Sequence, residues 1–304
     1  MIISVLNDNR PGEGIPGEFG FSIVVQADKK ILMDAGQSDI FQKNAGRLGV
    51  SLDDVDAIVL SHRHADHSYG LEHMNGGRLV CHPDCFEPTI PKGGGRVVSP
   101  FMSLEEAGRK FELTTSREPV RLSDNIYFLG EIPRNNDFEA KVPGQVNRSG
   151  ADDFIMDDSG LAITTEKGLV VISGCAHAGI CNTIEHAKKV AGDDRIFAVI
   201  GGFHLVNDDD VTSRTIGYLK SQNPVRIMPG HCVSNEIMLK MHSEGLPVTP
   251  LFSGTTAAFP IRLKSYPDKE LRESTADMIA RELDMLRPAQ QSPPKRDGDR
   301  LDRH

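Results

Sequence analysis

A pattern that recurs in the second half of the chain limits the folds that the chain can adopt. Three times, a short apolar run is followed by a loop with one histidine and then by a helical segment. The apolar runs at 169–173, 196–200 and 225–228 predict buried strands. Strands that alternate with helices favour a layered α/β fold, in which the loops at the strand exits gather at one edge. The histidines of these loops should therefore lie close together: His177, His204 and His231.

A denser group of metal-ligand side chains lies in the first half of the chain. The sequence HxHxDH directly follows the apolar run 56–60. Alternate side chains of an extended segment point the same way, so His62 and His64 can face one point. Asp66 and His67 come after the chain has begun to turn and can face a second point beside the first. Imidazole suits zinc, copper, iron and nickel, and a carboxylate widens the choice toward iron and manganese. The pattern favours a metal site over a solvated polar loop.

The HxHxDH motif at a strand exit resembles the signature of the metallo-β-lactamase superfamily. Other stretches are similar to its branch of β-ribofuranosylaminobenzene 5'-phosphate synthase-like proteins of pterin-cofactor biosynthesis. These stretches are residues 18–22, 32–37, 130–134, 174–180, 201–205 and 229–232. The resemblance implies an α/β fold of a single domain, a four-layer αββα sandwich with metals at one edge of its two sheets. We expect that domain to cover residues 1–287, including an amphipathic helix at 270–286, and residues 288–304 to form a disordered tail.

The resemblance also implies two divalent metal ions, with zinc expected first and manganese or iron as alternatives. The implied ligands lie in the motif and at strand exits: His62, His64, Asp66, His67, His177 and His231. Cys175 takes the place of a bridging carboxylate, as a ligand or as a neighbour of the ligands. His204 competes with His231 for the last ligand position and otherwise faces substrate. Asp34 either orients a ligand histidine or is a turn residue, and Asp158 could also line the site.

These residues predict a metal-dependent hydrolase of a small phosphorylated or ester-type metabolite. Two metal ions that share a water lower its pKa and hold the attacking and leaving oxygens. Asp66 would orient the hydroxide so formed, and His204 would stabilise an oxyanion or protonate the leaving group. Two alternatives stay open: the condensation of the synthase-like branch, and a non-catalytic metal-bound sensor or ligand-binding protein.

Three residues depart from the synthase-like branch. Phe19 stands where a histidine-type residue is expected, and Arg63 and Tyr69 stand where small residues are expected. Arg63 and Tyr69 could narrow the pocket or change its charge. Since the sequence contains no GxxxxGK[ST] phosphate loop, a phosphate would depend on the metals, on Arg63, on Arg134 or on backbone amides.

Charge and composition narrow the expected partners. The net charge is −9 and no basic run occurs, which argues against nucleic acid and leaves a small molecule as the expected partner. The first residues do not resemble a signal peptide, and no apolar stretch is long enough for a membrane span, so we expect a cytoplasmic protein.

Five cysteines without a signal peptide argue against a disulfide framework. A helix should start at Tyr69, after the HxHxDH motif. Residues 86–118 predict a long loop with a short helix at 104–111, and residues 143–153 a mobile loop.

Overall fold

A computed structural model describes residues 1–265 of the chain. The strands in chain order are β1 (Ile2–Asn7), β2 (Ser22–Gln26), β3 (Lys30–Met33), β4 (Ala57–Val59), β5 (Arg78–Cys81), β6 (Ile90–Pro91), β7 (Glu112–Thr115), β8 (Val120–Arg121), β9 (Ile126–Phe128), β10 (Gln145–Val146), β11 (Asp152–Asp153), β12 (Gly160–Thr165), β13 (Gly168–Ser173), β14 (Ile196–Gly201), β15 (Arg226–Pro229) and β16 (Thr256–Ala258). The helix expected at 270–286, the domain end at 287 and the tail at 288–304 lie outside the described residues.

Helices join many of these strands. They are α1 (Ile40–Leu48), α2 (Ala65–Ser68), α3 (Leu104–Lys110), α4 (Ile180–Ala191), α5 (Asp210–Gln222) and α6 (Asn235–Ser243), with short 3₁₀ helices at Tyr69–His73 and Pro83–Phe86. The helix expected to start at Tyr69, after the HxHxDH motif, is present as the 3₁₀ helix Tyr69–His73, and the short helix α2 precedes it inside the motif. None of the described helices is long and apolar enough to cross a membrane.

The strands form two large sheets and one small one. The first large sheet has the order β16-β1-β2-β3-β4-β5-β7, and the second has the order β15-β14-β13-β12-β9-β8. In the first sheet β3, β4, β5 and β7 run parallel, and in the second β13, β14 and β15 run parallel. The small sheet has the order β11-β10-β6. The parallel strands provide the carboxyl-terminal exits from which the histidine loops leave.

Alternating side chains give the inner strands of the large sheets two buried faces. Ile23 and Val25 of β2 pack in the core between the two sheets, while Val24 packs on the side of α1 and α3. In β13, Ile172 faces the other sheet and Val171 packs on the side of α4, α5 and α6. This period of two is what an extended strand between two apolar layers requires. The αββα sandwich expected from the sequence is confirmed.

Two segments contain more structure than the sequence predicts. Residues 86–118, expected as a long loop with a short helix, hold β6 and β7 as well as α3. Residues 143–153, expected as a mobile loop, hold β10 and β11. The expectation of loops was wrong here because two-residue strands leave no periodic pattern, and their pairing depends on residues distant in the chain. Val146 pairs with Ile90, and Gln145 pairs with Asp153.

Four residues that follow the ends of strands, in or beside the histidine loops, share an unusual backbone conformation. Asp34, Ala176, His204 and His231 have φ angles of 59°, 56°, 51° and 48°. They follow β3, β13, β14 and β15, respectively. Side chains other than glycine adopt this left-handed conformation rarely, and it carries a free-energy cost of about 1–3 kcal/mol at each residue. Its repetition at one edge of the sandwich indicates that the surrounding contacts impose it there.

Candidate metal centre

The first group of donor atoms joins both large sheets. His62 and His64 follow β4 of the first sheet, and His177 follows β13 of the second. One ligand atom from each of the three lies within 4.8 Å of the others. His62 Nε2 and His64 Nδ1 are 3.0 Å apart. His177 Nε2 is buried and has no hydrogen-bond partner among the described residues. An orphaned imidazole nitrogen beside two others is what a metal-free ligand set would show.

A second group lies beside the first. It consists of Asp66, His67 and His231, whose ligand atoms lie within 4.8 Å of one another. The Nε2 atoms of His67 and His231 are 3.1 Å apart, and Asp66 Oδ2 is 3.2 Å from His231 Nε2. The residues that the sequence suggested as metal ligands are therefore brought together as two neighbouring sets.

Cys175 lies between these two groups. Its sulfur is 3.3 Å from His67 Nε2, and it forms a donor group with His62 and His67. It also forms a donor group with His231 and Cys232, a residue that was not among the predicted candidates. The backbone N–H of His204 donates to Cys232 Sγ at 3.2 Å. A thiol at Cys175 is placed to contact either metal position.

Asp34 orients two of the histidine rings, one directly and one through Ser61. Its carboxylate accepts hydrogen bonds from His67 Nδ1, from the Ser61 hydroxyl and from the Ser61 N–H, each at 2.7 Å. Ser61 Oγ, whose proton points to Asp34, lies 2.9 Å from His62 Nδ1 and accepts from it. Both rings then carry their proton on Nδ1 and present the Nε2 lone pair to the centre. This contact corresponds to the orienting role expected for Asp34.

Asn9 fixes the ring of His231 in the same way. Asn9 Oδ1 lies 2.9 Å from His231 Nδ1, and Asn9 Nδ2 donates to the His231 carbonyl at 3.1 Å. Gly20 N–H also donates to Asn9 Oδ1, which identifies this atom as the acceptor. His231 therefore presents Nε2 to the second group.

Burial keeps the first group of imidazoles uncharged. It lowers the pKa of His62 and His177 well below the ordinary value of a histidine, and it lowers the pKa of His64 to about 4. The neighbouring rings add to the effect, because two imidazolium charges in contact repel each other. Neutral imidazole is the form that binds a metal ion.

The second group carries a carboxylate charge. Burial raises the pKa of Asp66, but the adjacent His67 and His231 outweigh it and hold the pKa below the ordinary value. Burial lowers the pKa of His67, and the carboxylates of Asp66 and Asp34 reverse the effect and raise it. Imidazole, carboxylate and thiol donors in this arrangement fit divalent metal ions.

Two further predicted residues lie beside the donor groups. The His204 ring is 4.6 Å from the ring of His177, centroid to centroid. Asp158 Oδ2 accepts from Ala178 N–H at 2.9 Å, and burial raises the Asp158 pKa to about 7. Neither residue belongs to a donor group within residues 1–265. This geometry favours the reading of His204 as a residue that faces substrate.

A cavity of about 480 Å³ opens next to the first donor group. His64, His177 and His204 line one side of it. The opposite walls are apolar or charged and include Phe138, Glu139, Lys141, Asp153, Phe154, Phe203 and Leu205. This size fits a small metabolite.

The structure brings none of the three suggested substrate contacts to this cavity. Arg63 is buried, forms ion pairs with Asp153 and Asp157, and does not line this cavity. The Tyr69 hydroxyl donates to the Ser99 carbonyl at 2.9 Å. Arg134 donates to three main-chain carbonyls, those of residues 132, 154 and 155. Each of these three side chains therefore forms its ion pairs or hydrogen bonds with other groups of the protein.

The sequence analysis overlooked several residues of the site: Asn9, Ser61, Gln145 and Cys232. Ser61 and Cys232 adjoin ligand histidines, and that adjacency is a usable signal. Asn9 and Gln145 reach the site from 222 and 81 positions away along the chain. Phe19, noted as a departure, is 62% exposed, and its ring lies 5.5 Å from that of His231.

Sequence comparisons show which proteins this chain is similar to. The sequence model of the metallo-beta-lactamase superfamily matches residues 15–75, which contain the HxHxDH motif. The chain is 33% identical to the 7,8-dihydropterin-6-methyl-4-(beta-D-ribofuranosyl)-aminobenzene-5'-phosphate synthase of Methanocaldococcus jannaschii, over 71% of this chain and 81% of that protein. An uncharacterized protein of the same organism is also 33% identical, over 79% of this chain and 93% of its own length.

Solved structures show the same architecture. The metal-dependent hydrolase Tm1679 of the beta-lactamase superfamily superimposes with a TM-score of 0.75 at 26% identity, over 85% of this chain and 99% of that one. The metallo-beta-lactamase fold protein YhfI from Bacillus subtilis gives a TM-score of 0.52 at 14% identity, over 84% and 99% of the two chains. The second likeness concerns the fold alone.

Proposed function

The chain belongs to the metallo-β-lactamase superfamily, and from this premise we propose that it is a metal-dependent hydrolase of a small phosphorylated or ester-type metabolite. The observation that carries the proposal is the pair of adjacent donor groups, the first of which opens onto a cavity. A buried metal site without such a cavity would suit a structural role. The similar Tm1679 is described as a metal-dependent hydrolase, which supports the proposal.

Two sets of side chains would hold the metals. His62, His64 and His177 would bind one divalent ion, and Asp66, His67 and His231 would bind a second, with Cys175 between them. Zinc fits this mixture of nitrogen, oxygen and sulfur donors best, and manganese or iron are the alternatives. When bound, such ions act as Lewis acids that lower the pKa of water and offset the charge of a phosphate.

Side chains of the protein would accept and donate the protons of the reaction and attract the substrate. The Asp66 carboxylate faces the second metal position and can accept a proton from the attacking nucleophile. His204 lines the cavity beside His177 and can donate a hydrogen bond or a proton to the leaving oxygen. Lys141 lies at the exposed rim of the cavity, where its charge would attract an anionic substrate. The apolar wall would hold the organic part of the substrate and exclude water.

A second candidate is the condensation that a relative's name describes. The 33% identity to the synthase favours it, and the match covers 81% of that relative. In that reaction an aromatic acid would condense with a phosphorylated ribose, and the leaving group would be pyrophosphate. Hydrolysis and condensation differ in whether an oxygen atom of water enters the product.

Metal content and turnover together test the proposal. We expect near two metal ions per chain by elemental analysis, and turnover of a panel of phosphoesters and esters that EDTA abolishes and zinc or manganese restores. In water enriched in oxygen-18, a hydrolase places the label in the product and a condensing enzyme does not. His64→Ala should lose both metal and turnover, while His73→Ala, at an exposed position, should keep them.

Two results would contradict the hydrolase. One is equal turnover in protein that contains no metal. The other is folded protein that retains a ligand on purification and turns over no member of the panel, which would favour the sensor or binding protein.

A further inference from the structure

The small sheet reaches the candidate metal centre through one side chain. Gln145 lies on β10, and its Nε2 is 2.6 Å from Nε2 of His64. The other nitrogen of that ring, Nδ1, faces His62 at 3.0 Å and belongs to the first donor group. Gln145 thus contacts the outer nitrogen of a ligand whose inner nitrogen points at the metal position.

Arg63 holds the small sheet in place from within the HxHxDH motif. Its guanidinium forms buried ion pairs with Asp153, on β11, and with Asp157. The same group donates to Gln145 Oε1 at 3.2 Å, and the Arg63 N–H donates to Asp157 Oδ2 at 2.7 Å. A guanidinium has donors and no acceptor, so it requires the oxygen of the Gln145 amide on its side.

The direction of each hydrogen bond in this chain of contacts then follows. With its oxygen toward Arg63, Gln145 donates N–H to His64 Nε2, which must carry a lone pair. The proton of neutral His64 is therefore on Nδ1 and points at His62 Nε2. His62 in turn donates from Nδ1 to Ser61, which donates to Asp34. His62 presents a lone pair to the centre, whereas His64 presents a proton.

We propose that Gln145 is a positioning residue that sets the tautomer of the metal ligand His64 and couples metal binding to the docking of the small sheet. A metal ion at the first group needs the Nδ1 lone pair of His64. The ring then exchanges its Nδ1 proton for one on Nε2 through solvent, with no net change in protonation. The Nε2 proton needs an acceptor, which Gln145 provides when its amide reverses and turns its oxygen to His64. The inference rests on the metal-binding part of the proposed function.

The coupling has a consequence for the cavity. Residues 141–145 and 153–155 line it, and they include parts of β10 and β11. Reversal of the Gln145 amide exchanges its hydrogen bond with Arg63 for one accepted from His64 Nε2–H, which a cation on the other ring nitrogen would make a stronger donor, while the ion pairs of Arg63 with Asp153 and Asp157 stay. By thermodynamic linkage, a contact that favours metal binding is itself favoured by the metal. A loaded centre would therefore hold this wall of the cavity more firmly.

Two substitutions of Gln145 give opposite expectations. Gln145→Glu has acceptors only, so it accepts from both Arg63 and His64 Nε2 and forces the tautomer that binds metal. Gln145→Leu offers His64 no acceptor. Changes to such partners of a ligand typically alter metal affinity by about 10- to 100-fold. We expect zinc and cobalt affinity, measured by competition with a chromophoric chelator, to rise in Gln145→Glu and to fall at least about tenfold in Gln145→Leu.

The same two changes at Gln42 are matched controls, because that side chain contacts the His73 carbonyl away from the centre. They should leave the affinity unchanged. Hydrogen exchange of residues 143–154 should slow on metal binding in the wild type and in Gln145→Glu, and should respond less in Gln145→Leu.

The outcomes separate this inference from the proposed function. Equal loss of affinity in both Gln145 variants would show that the residue acts by packing alone and would overturn the inference. So would unchanged affinity in both, with the wild type binding metal normally. A wild type that is folded and binds no metal would overturn the proposed function first, and this inference with it.

Discussion

At the scale of single residues, the contact made by one nitrogen of an imidazole decides which nitrogen is free to bind a metal. Asp34, Ser61 and Asn9 make such contacts with the rings of His62, His67 and His231. The candidate ligands could be selected from the sequence, because imidazole and carboxylate side chains at strand exits are distinctive, and the structure brings them together. Asn9 could not, because a single asparagine among polar loop residues carries no signal until the fold brings it 2.9 Å from His231.

Replacing Asp34 by asparagine tests this control of ring orientation. Asp34 Oδ2 accepts from His67 Nδ1 and the Ser61 hydroxyl, and Oδ1 accepts from the Ser61 N–H, so an amide nitrogen would face a donor in either orientation. The contacts that keep the His67 proton on Nδ1 and its Nε2 free for the metal would then be lost or weakened. We expect Asp34→Asn to lower metal affinity by about 10- to 100-fold. Chelator competition measures it, and Asp39→Asn, on the exposed start of α1, should leave it unchanged. Unchanged affinity in Asp34→Asn would contradict the orienting role.

A buried histidine outside the metal centre gives the chain a dependence on pH. His186 in α4 donates from Nε2 to the Leu129 carbonyl at 2.9 Å, and burial lowers its pKa. The unfolded chain therefore binds a proton at this residue below about pH 6.5, whereas the folded chain does not until a lower pH. The free energy of unfolding should fall as the pH drops through that window, by up to about 1.4 kcal/mol per pH unit from this residue.

His186→Gln keeps a donor for the Leu129 carbonyl and removes the titration. Urea unfolding at pH 7 and at pH 5.5 should show a smaller loss of stability in the variant than in the wild type. Other groups titrate equally in both proteins, so the difference between them isolates His186. Identical losses would show that this residue makes no contribution.

At the scale of secondary-structure elements, the start of α4 depends on a carboxylate from a distant loop. Gly179, which precedes the helix, has no side chain that could cap it. Glu139 accepts from the N–H groups of Cys181 and Asn182 at 2.9 Å and 3.0 Å, although it is more than 40 residues away. A Cβ at Gly179 would lie 2.3 Å from this carboxylate. The loop that carries Glu139 also lines the cavity.

Neutralising this carboxylate should loosen the first turn of α4. Glu139→Gln places a donor against one of the two N–H groups and removes the charge at the positive end of the helix dipole. We expect a loss of about 1–2 kcal/mol in the free energy of unfolding, with faster hydrogen exchange at Cys181 and Asn182. Ser103→Ala, which removes the cap of α3, should cost about 1 kcal/mol and leave exchange in α4 unchanged. Equal exchange at α4 in Glu139→Gln and wild type would contradict this account.

The elements were predictable to different degrees for a physical reason. Long strands between two apolar layers, such as β12 and β13, carry continuous hydrophobic runs that the sequence reveals. The strand β10 has two residues, and what fixes it is the contact of Gln145 with Arg63 and His64. Such a strand depends on tertiary contacts, so residues 143–153 were expected as a mobile loop. The sequence also does not reveal the ion-pair partners of Arg63, because they lie 90 and 94 positions away along the chain.

At the scale of the whole molecule, the candidate metal centre connects the two large sheets. The first sheet supplies His62, His64 and His67, and the second supplies His177 and His231. A metal ion bound by both would hold the sheets together in the folded chain and find no comparable site in the unfolded one. Its binding energy would then add to the stability of the fold.

Removing the metal should therefore destabilise the whole domain. With free zinc at 100 times its dissociation constant, the free energy of unfolding should exceed that of the chelated protein by about 2.7 kcal/mol. The dependence on urea concentration should stay the same, because the fold buries the same surface. Thermal and urea unfolding of chelated and reloaded protein measure both. His64→Ala should lose most of this gain and His73→Ala should keep it; a gain that survives in His64→Ala would place the metal elsewhere.

The separation of the ligands along the chain also sets an order of events during synthesis. His67 and His231 face each other across 164 positions, and β1 pairs with β16, whose residues are made near the end of the described chain. At roughly 5–20 residues per second, the HxHxDH segment waits about 8–30 seconds on the ribosome before His231 is made. During that interval the growing polypeptide would expose only part of the candidate metal centre. If the proposed ions bind, the choice between metals would then be made after translation has passed His231, when the complete set of donors is present.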